Sequence, residues 1–193
     1  MESEEIRFSH EMDFRRNWIS TLYEALSRVI HDIGQKLEEH GHYDGIDALE
    51  DSEWILGIAF IAAQTYITGT IADLKAVLSQ SSSDTQKVSK KTLLLVDVIS
   101  IADGVTPLQL IDAIANYQKH HDEWEDWQVD DKNRSTIEIL ENSGINKDTE
   151  FPCYKAATLL WPESRVGELS YLLNLLEDWR SRVIRKYKPL DSD

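Results

Sequence analysis

Apolar residues near the start of the chain recur at helical spacing. Trp18, Leu22, Leu26, Val29, Ile33 and Leu37 follow one another at intervals of four and three, on one stripe of a helix. The pattern predicts a first long helix over about 9–40, stopped at Gly41. The acidic segment 41–53, which contains Gly45, reads as a connection, with Asp51 or Ser52 placed to cap a second helix over about 53–78. From Trp54 to Ala72 there is no charged residue. A helix that is apolar almost all round is normally surrounded by others in a bundle, and Gly57, Ala59, Ala62 and Ala63 would let neighbours come close. The run is also nearly long enough to cross a bilayer. Gln64, Thr65, Thr68 and Thr70 dilute it and no basic cluster flanks it, so a buried central helix is expected rather than a membrane span.

The polar stretch 79–91 reads as a flexible loop, with Lys87, Lys90 and Lys91 as a solvated basic spot. Residues 92–102 suit either a buried strand or a helix. Helix is favoured, because no second strand exists to pair with it. Asp103-Gly104 ends that segment, and Thr106-Pro107 starts another helix that is expected to reach about Trp127, with threonine as cap and proline at the first helical position. A short helix over 133–142 closes at Gly144, and a hydrophobic turn follows over 154–161. Ser164 is placed to cap a last helix over 165–187, whose apolar face runs through Leu169, Leu172, Leu173, Leu176, Trp179, Val183 and Tyr187. Arg180, Arg182, Arg185, Lys186 and Lys188 gather toward its end, where cations complement the helix dipole. The expected architecture is an all-α, single-domain helical bundle of about five main helices over 1–193.

Composition changes this picture little. Only eight glycines and four prolines interrupt the chain, which favours long helices over many short strands. The formal charge of -15 matters more. It repels a phosphate backbone at long range, weighs against bulk nucleic-acid binding, and suits either solubility or a basic protein partner. Cys153 is the only cysteine, so no internal disulfide framework exists, and the thiol reads as structural. The acidic N-terminus Met1-Glu2-Ser3-Glu4-Glu5 lacks the apolar run of a secretory signal, and a cytoplasmic location is expected.

The candidate chemistry lies in the segment 116–127. On the helix that begins at Thr106, Leu110, Ile114, Tyr117, His121 and Trp124 share one stripe, while Asp112, Asn116 and His120 share the polar stripe beside it. His120 has the side chain whose ordinary pKa suits general acid–base work near neutrality. Asn116, one turn earlier, can orient it or hold a phosphate oxygen, and Lys119 can offset developing negative charge. His121 with Glu125, or His120 with Glu123, supplies two metal ligands, which do not make a site, so no metal or other cofactor is expected. The bland alternative is that His121 faces the core, His120 lies at the surface and the acids are a solvated face.

Asn116 and His120 resemble the polar residue and the histidine of the HEPN superfamily, helical proteins common in bacterial toxin–antitoxin and antiviral systems. The stretch Asn-x-x-Lys-His-x-x-Glu-Trp beginning at Asn116 is also similar to one found in bacterial proteins of uncharacterised role. The resemblance implies a helical bundle that forms a homodimer, with two motif helices facing each other across a cleft. It also implies metal-independent RNA cleavage, with Asn116 and His120 as catalytic residues around the RNA backbone. The family's arginine is missing: Ala115 stands in its place, Lys119 is a candidate for part of its charge with a different geometry, and whether a residue from elsewhere such as Arg134 replaces it is left open by the sequence. The chain thus reads as an RNA endonuclease of this type or its degenerate relative.

A second reading is non-enzymatic. Residues 38–53 hold seven acids and no Lys or Arg, and 122–131 is similarly acidic with Trp124 and Trp127 interleaved. Such surfaces steer association with basic partners, as in immunity proteins and antitoxins. Tryptophan is a favoured interface anchor.

Overall fold

The computed structural model describes residues 13–39, 41–81, 88–96, 100–124, 127 and 129–187. Among the described residues it holds seven α-helices, α1 (Phe14–Glu39), α2 (Gly45–Ser81), α3 (Lys90–Leu94), α4 (Pro107–His120), α5 (Arg134–Asn142), α6 (Pro152–Leu160) and α7 (Ser170–Tyr187), and no strand beyond an isolated bridge between Ala102 and Val105. Short 3-10 turns lie at His121–Glu123 and Glu163–Arg165. The α2 helix is the centre of the arrangement, packing against α1, α4, α6 and α7.

Several boundaries move from those the sequence predicts. The second helix begins at Gly45, so most of the expected connection is helical. The cause is local. Asp44 Oδ1 accepts from the amides of Ile46 (2.8 Å) and Asp47 (3.1 Å), while Asp47 Oδ2 accepts from the Asp44 amide (3.1 Å). This reciprocal capping satisfies amides that a helix start otherwise leaves unpaired. Of the expected loop 79–91, the first residues belong to α2 and the last to α3, and 82–87 lie outside the described residues. The segment 92–102 forms only the end of α3 before it turns, and 97–99 lie outside the described residues. The predicted turn at 154–161 is instead α6, with Pro152 at its start. The last helix begins at Ser170 rather than Arg165. The segment before it crosses α1, where Leu169 donates its amide to Ser27 Oγ (3.1 Å) and a Cβ on Gly167 would stand 3.0 Å from Ile30.

The buried face of α1 is also rotated by one position. Ile19, Tyr23, Leu26 and Ile33 are buried, whereas Trp18, Val29 and Leu37 of the expected stripe are exposed. Tyr23 fixes this choice, because its hydroxyl donates to the Ala59 carbonyl of α2 (3.0 Å). At the other end of α1, Asp13 lies against α2 and α7. It accepts from the Tyr66 hydroxyl and faces Arg180 Nε at 3.5 Å, with both members of the ion pair more than nine-tenths buried. Arg180, grouped by sequence with the cations that complement the dipole at the end of the last helix, therefore belongs to the interior.

By length and composition alone, Gly45–Ser79 could cross a membrane. Much of its surface is buried against the other helices, including Leu56, Ala59, Phe60, Ala63, Tyr66 and Ile67. The small residues do admit neighbours: a Cβ on Gly57 would stand 2.7 Å from the Gln118 side chain of α4.

Glu53, on α2, holds the start of α6. Its two carboxylate oxygens accept from the backbone amides of Cys153 (2.7 Å) and Tyr154 (2.8 Å). Burial raises the pKa of this carboxyl above the ordinary glutamate value, while the two amides pull the other way. A carboxyl whose pKa is higher in the folded state contributes stability below the ordinary glutamate value and loses it as pH rises through the raised value. The stability advantage of wild type over Glu53→Gln, which keeps the shape but offers one acceptor oxygen, should therefore narrow from mildly acidic pH to neutrality. Urea unfolding of the two proteins across that range measures the gap, and a gap that widens with pH contradicts the assignment.

Candidate functional site

The α4 helix starts as its sequence predicts. Thr106 caps it by accepting from the Gln109 amide (3.2 Å), Gln109 Oε1 accepts from the Thr106 amide (2.9 Å), and Pro107 opens the first turn. It ends at His120, short of the expected Trp127. At His120 the backbone leaves helical geometry (φ -129°, ψ 0°) and passes into the 3-10 turn. Trp127 has a φ of +61°, a left-handed conformation that an uninterrupted helix does not contain. Tyr117 gathers the aromatic residues of this turn, with His121 stacked on it at 5.2 Å and the rings of Trp124 and Trp127 at 5.7 and 5.5 Å.

Asn116 and Lys119 are brought together by a residue the sequence does not mark as functional. Gln64 of α2, itself buried, donates its amide to Asn116 Oδ1 (2.8 Å) and Asp112 Oδ1 (2.6 Å), and its Oε1 accepts from Lys119 Nζ (2.6 Å). Asp112 Oδ1 also accepts from Lys90 Nζ of α3 at 2.5 Å. Five side chains from three helices thus form one connected network on the seam between α2 and α4. It contains two ammonium groups and one carboxylate, a net positive patch on an acidic protein. The only hint in the sequence is that Gln64 is a lone amide inside the uncharged run. Lys90, read as part of a solvated spot, is half-buried in this network.

His120 stands one turn beyond and takes no part in the bonds to Gln64. Its side chain is 45% exposed, and Nδ1 faces Glu123 Oε1 at 3.4 Å. It is therefore open to a ligand rather than sealed in the core. Ala115, at the position of the motif arginine, is fully buried, so an arginine there would have to enter the core. Arg134 makes its ion pair locally with Asp131 (3.7 Å). Among the described residues no group of three His, Cys, Asp or Glu is arranged to hold a metal, and Glu125 lies outside them.

His121 is half-buried on its aromatic neighbours and lies 3.3 Å from the Gln118 carbonyl. Cys153 is fully buried. Burial and the neighbouring Glu53 both raise its pKa well above the ordinary thiol value, which holds it as an unreactive thiol. An open depression lined by Leu49, Phe151, Tyr154, Lys155 and Glu163 lies at α6 and does not include the network residues.

Comparison with known proteins adds no relative: no family model, no curated protein and no solved structure matches this chain.

Proposed function

We propose that the chain is a HEPN-like single-domain bundle whose α4 face, with Asn116, Lys119 and His120, engages the RNA backbone as a metal-independent endonuclease or its degenerate relative. The observation that carries this reading is the bonding of Gln64 to both Asn116 and Lys119. Because the Asn116 oxygen is occupied, its remaining capacity is the donor pair on its amide nitrogen, and Lys119 adds an ammonium beside it. Donors of this kind suit a phosphate oxygen. In the cleavage step the 2′-hydroxyl attacks the adjacent phosphorus, the new O2′–P bond forms, and the P–O5′ bond breaks. His120 moves the protons, taking one from the 2′-hydroxyl and returning one to the departing 5′ oxygen. With the fully buried Ala115 at the motif position, Lys119 is left to supply the charge of the family's arginine, which favours a slow enzyme or a binding protein over a fast one.

Expression of wild type and His120→Ala in bacteria, with growth and RNA integrity followed, tests the nuclease. The wild type is expected to slow growth and fragment RNA, and the variant to lose about 100-fold or more of that cleavage. Because His120 is half-exposed, its replacement should cost little stability, within about 0.5 kcal/mol. Equal and harmless behaviour with intact RNA removes cleavage from the proposal. Binding of a single-stranded RNA oligonucleotide that weakens in Lys119→Ala and with added salt would then retain the degenerate form.

The acidic rim around the tryptophans supports a second reading as a binder of a basic protein. Asp122 and Glu123, in the turn that leads to Trp124, and Asp131, four residues past Trp127, are strongly exposed. Pull-down at low and high salt distinguishes it: a basic partner released by salt supports this reading, and none counts against it.

A further inference from the structure

Among the described residues, one face of α2 is left largely open, with only Ile61 at its middle packed against the core. Trp54, Ile58, Thr65, Thr68 and Ala72 are exposed, with Trp54 62% and Ile58 47% accessible, and Ile61 between them is half-buried. These six positions follow one another at intervals of four, three, four, three and four, the spacing of a coiled-coil seam. None carries a charge. The next positions in the same register are exposed Asp51 at one end and exposed Lys75 at the other.

We propose that this face is a self-association surface, on which a second copy of the chain lays its own α2 antiparallel. With a two-fold axis midway between Ile61 and Thr65, Ile61 meets the partner's Thr65 and Ile58 meets the partner's Thr68. Trp54, the largest side chain of the seam, then meets the partner's Ala72, the smallest. Asp51 meets the partner's Lys75. Size and charge are complementary at both ends of the same pairing. A parallel pairing instead sets tryptophan on tryptophan and aspartate on aspartate, which crowds one end and repels.

The net charge of -15 repels a second copy over most of the surface, so an uncharged face is where two copies approach most easily. Two threonines in the middle and the acidic residues at the Asp51 end are poorly suited to an anionic lipid surface, which attracts basic amphipathic helices. Gly57 and Gln64, two of the α2 residues that meet α4, each directly precede a seam residue. The seam therefore runs alongside the Asn116–Lys119 network, and pairing sets two copies of that network along one groove. This last consequence rests on the RNA reading, whereas the pairing itself does not.

Sedimentation equilibrium and light scattering of the full chain without nucleic acid test the pairing. Wild type is expected to have the mass of a dimer at micromolar concentration. Thr65→Glu, an exposed change that sets two like charges near the axis, should give a monomer with an unchanged helical spectrum. Lys75→Asp should weaken the dimer roughly tenfold, since two symmetry-related ion pairs become repulsive. Asp51→Lys combined with Lys75→Asp should restore it. Asp51 also accepts a hydrogen bond from Tyr43 (2.7 Å), so recovery is judged against Lys75→Asp rather than wild type. A wild-type monomer, a Thr65→Glu dimer, or a double variant weaker than Lys75→Asp overturns the proposal. So does Thr65-dependent binding to phosphatidylcholine vesicles by a monomeric chain, which assigns the face to lipid. A dimer that leaves RNA intact keeps the pairing and removes only cleavage.

Discussion

Replacing Arg180 by methionine while Asp13 stays in place should lower the unfolding free energy by about 3–5 kcal/mol. The structure gives the reason. Asp13 Oδ2 lies 3.5 Å from Arg180 Nε and accepts from the Tyr66 hydroxyl, and its Oδ1 accepts from the Arg15 amide (3.1 Å). Both charged side chains are more than nine-tenths buried, so a carboxylate deprived of the guanidinium is left desolvated. Tyr66 registers the same environment, since burial first and the hydrogen bond to Asp13 second raise its pKa far above the ordinary tyrosine value. Urea unfolding measures the loss, which in a chain of this size lowers Tm by roughly 10 °C. Asp13→Asn combined with Arg180→Met should recover much of it, because no buried charge then lacks its partner. A loss below about 1 kcal/mol for Arg180→Met would mean that water reaches the pair and screens it.

Trp179→Ala should cost a similar amount, about 3–5 kcal/mol, by a different route. Its indole is fully buried at the centre of α7, and Nε1 donates to the Leu93 carbonyl of α3 at 2.9 Å. Alanine leaves a cavity and also removes the indole donor from that carbonyl, which keeps the bond from the Val96 amide (3.1 Å) in the turn that ends this five-residue helix. Trp179→Phe separates the two effects. It restores most of the volume but not the donor, and should cost about 1–3 kcal/mol. The loss extends to the candidate site, because α3 carries Lys90 and Lys90 pairs with Asp112. Hydrogen exchange of residues 90–96 should therefore accelerate in Trp179→Phe before global unfolding does. Unchanged exchange there would show that α3 is held without the indole.

The parts of the fold legible in the sequence are those with a local cause. Thr106 and Pro107 start α4 through side-chain and backbone chemistry within one turn, and Gly144, with a φ of +75°, closes α5 because a glycine tolerates that conformation. The α2 start does not stand out in the sequence although its cause is equally local. Asp44 and Asp47 cap each other across Gly45, but a glycine in an acidic stretch reads more readily as a connection. For α1, spacings of four and three fit two adjacent stripes equally well. Only the Tyr23 hydroxyl on the Ala59 carbonyl, and the packing around it, turned Ile19 inward and left Trp18 outside.

The candidate site divides in the same way. That Asn116, Lys119 and His120 belong to one helical segment followed from their spacing, because neighbours on a helix are set by its pitch. Where that segment ends, and what its side chains touch, did not. Gln64 lies some fifty residues from Asn116 and Lys119, and Lys90 more than twenty from Asp112. Contacts between such distant positions exist only once α2, α3 and α4 have packed. By itself the sequence determined an acidic helical chain with a polar stripe on one helix, since charge and period are local properties. The tertiary structure alone decided that Ala115 faces the core and that Gln64 holds Asn116 and Lys119 together, because burial and hydrogen bonding between helices depend on their packed positions.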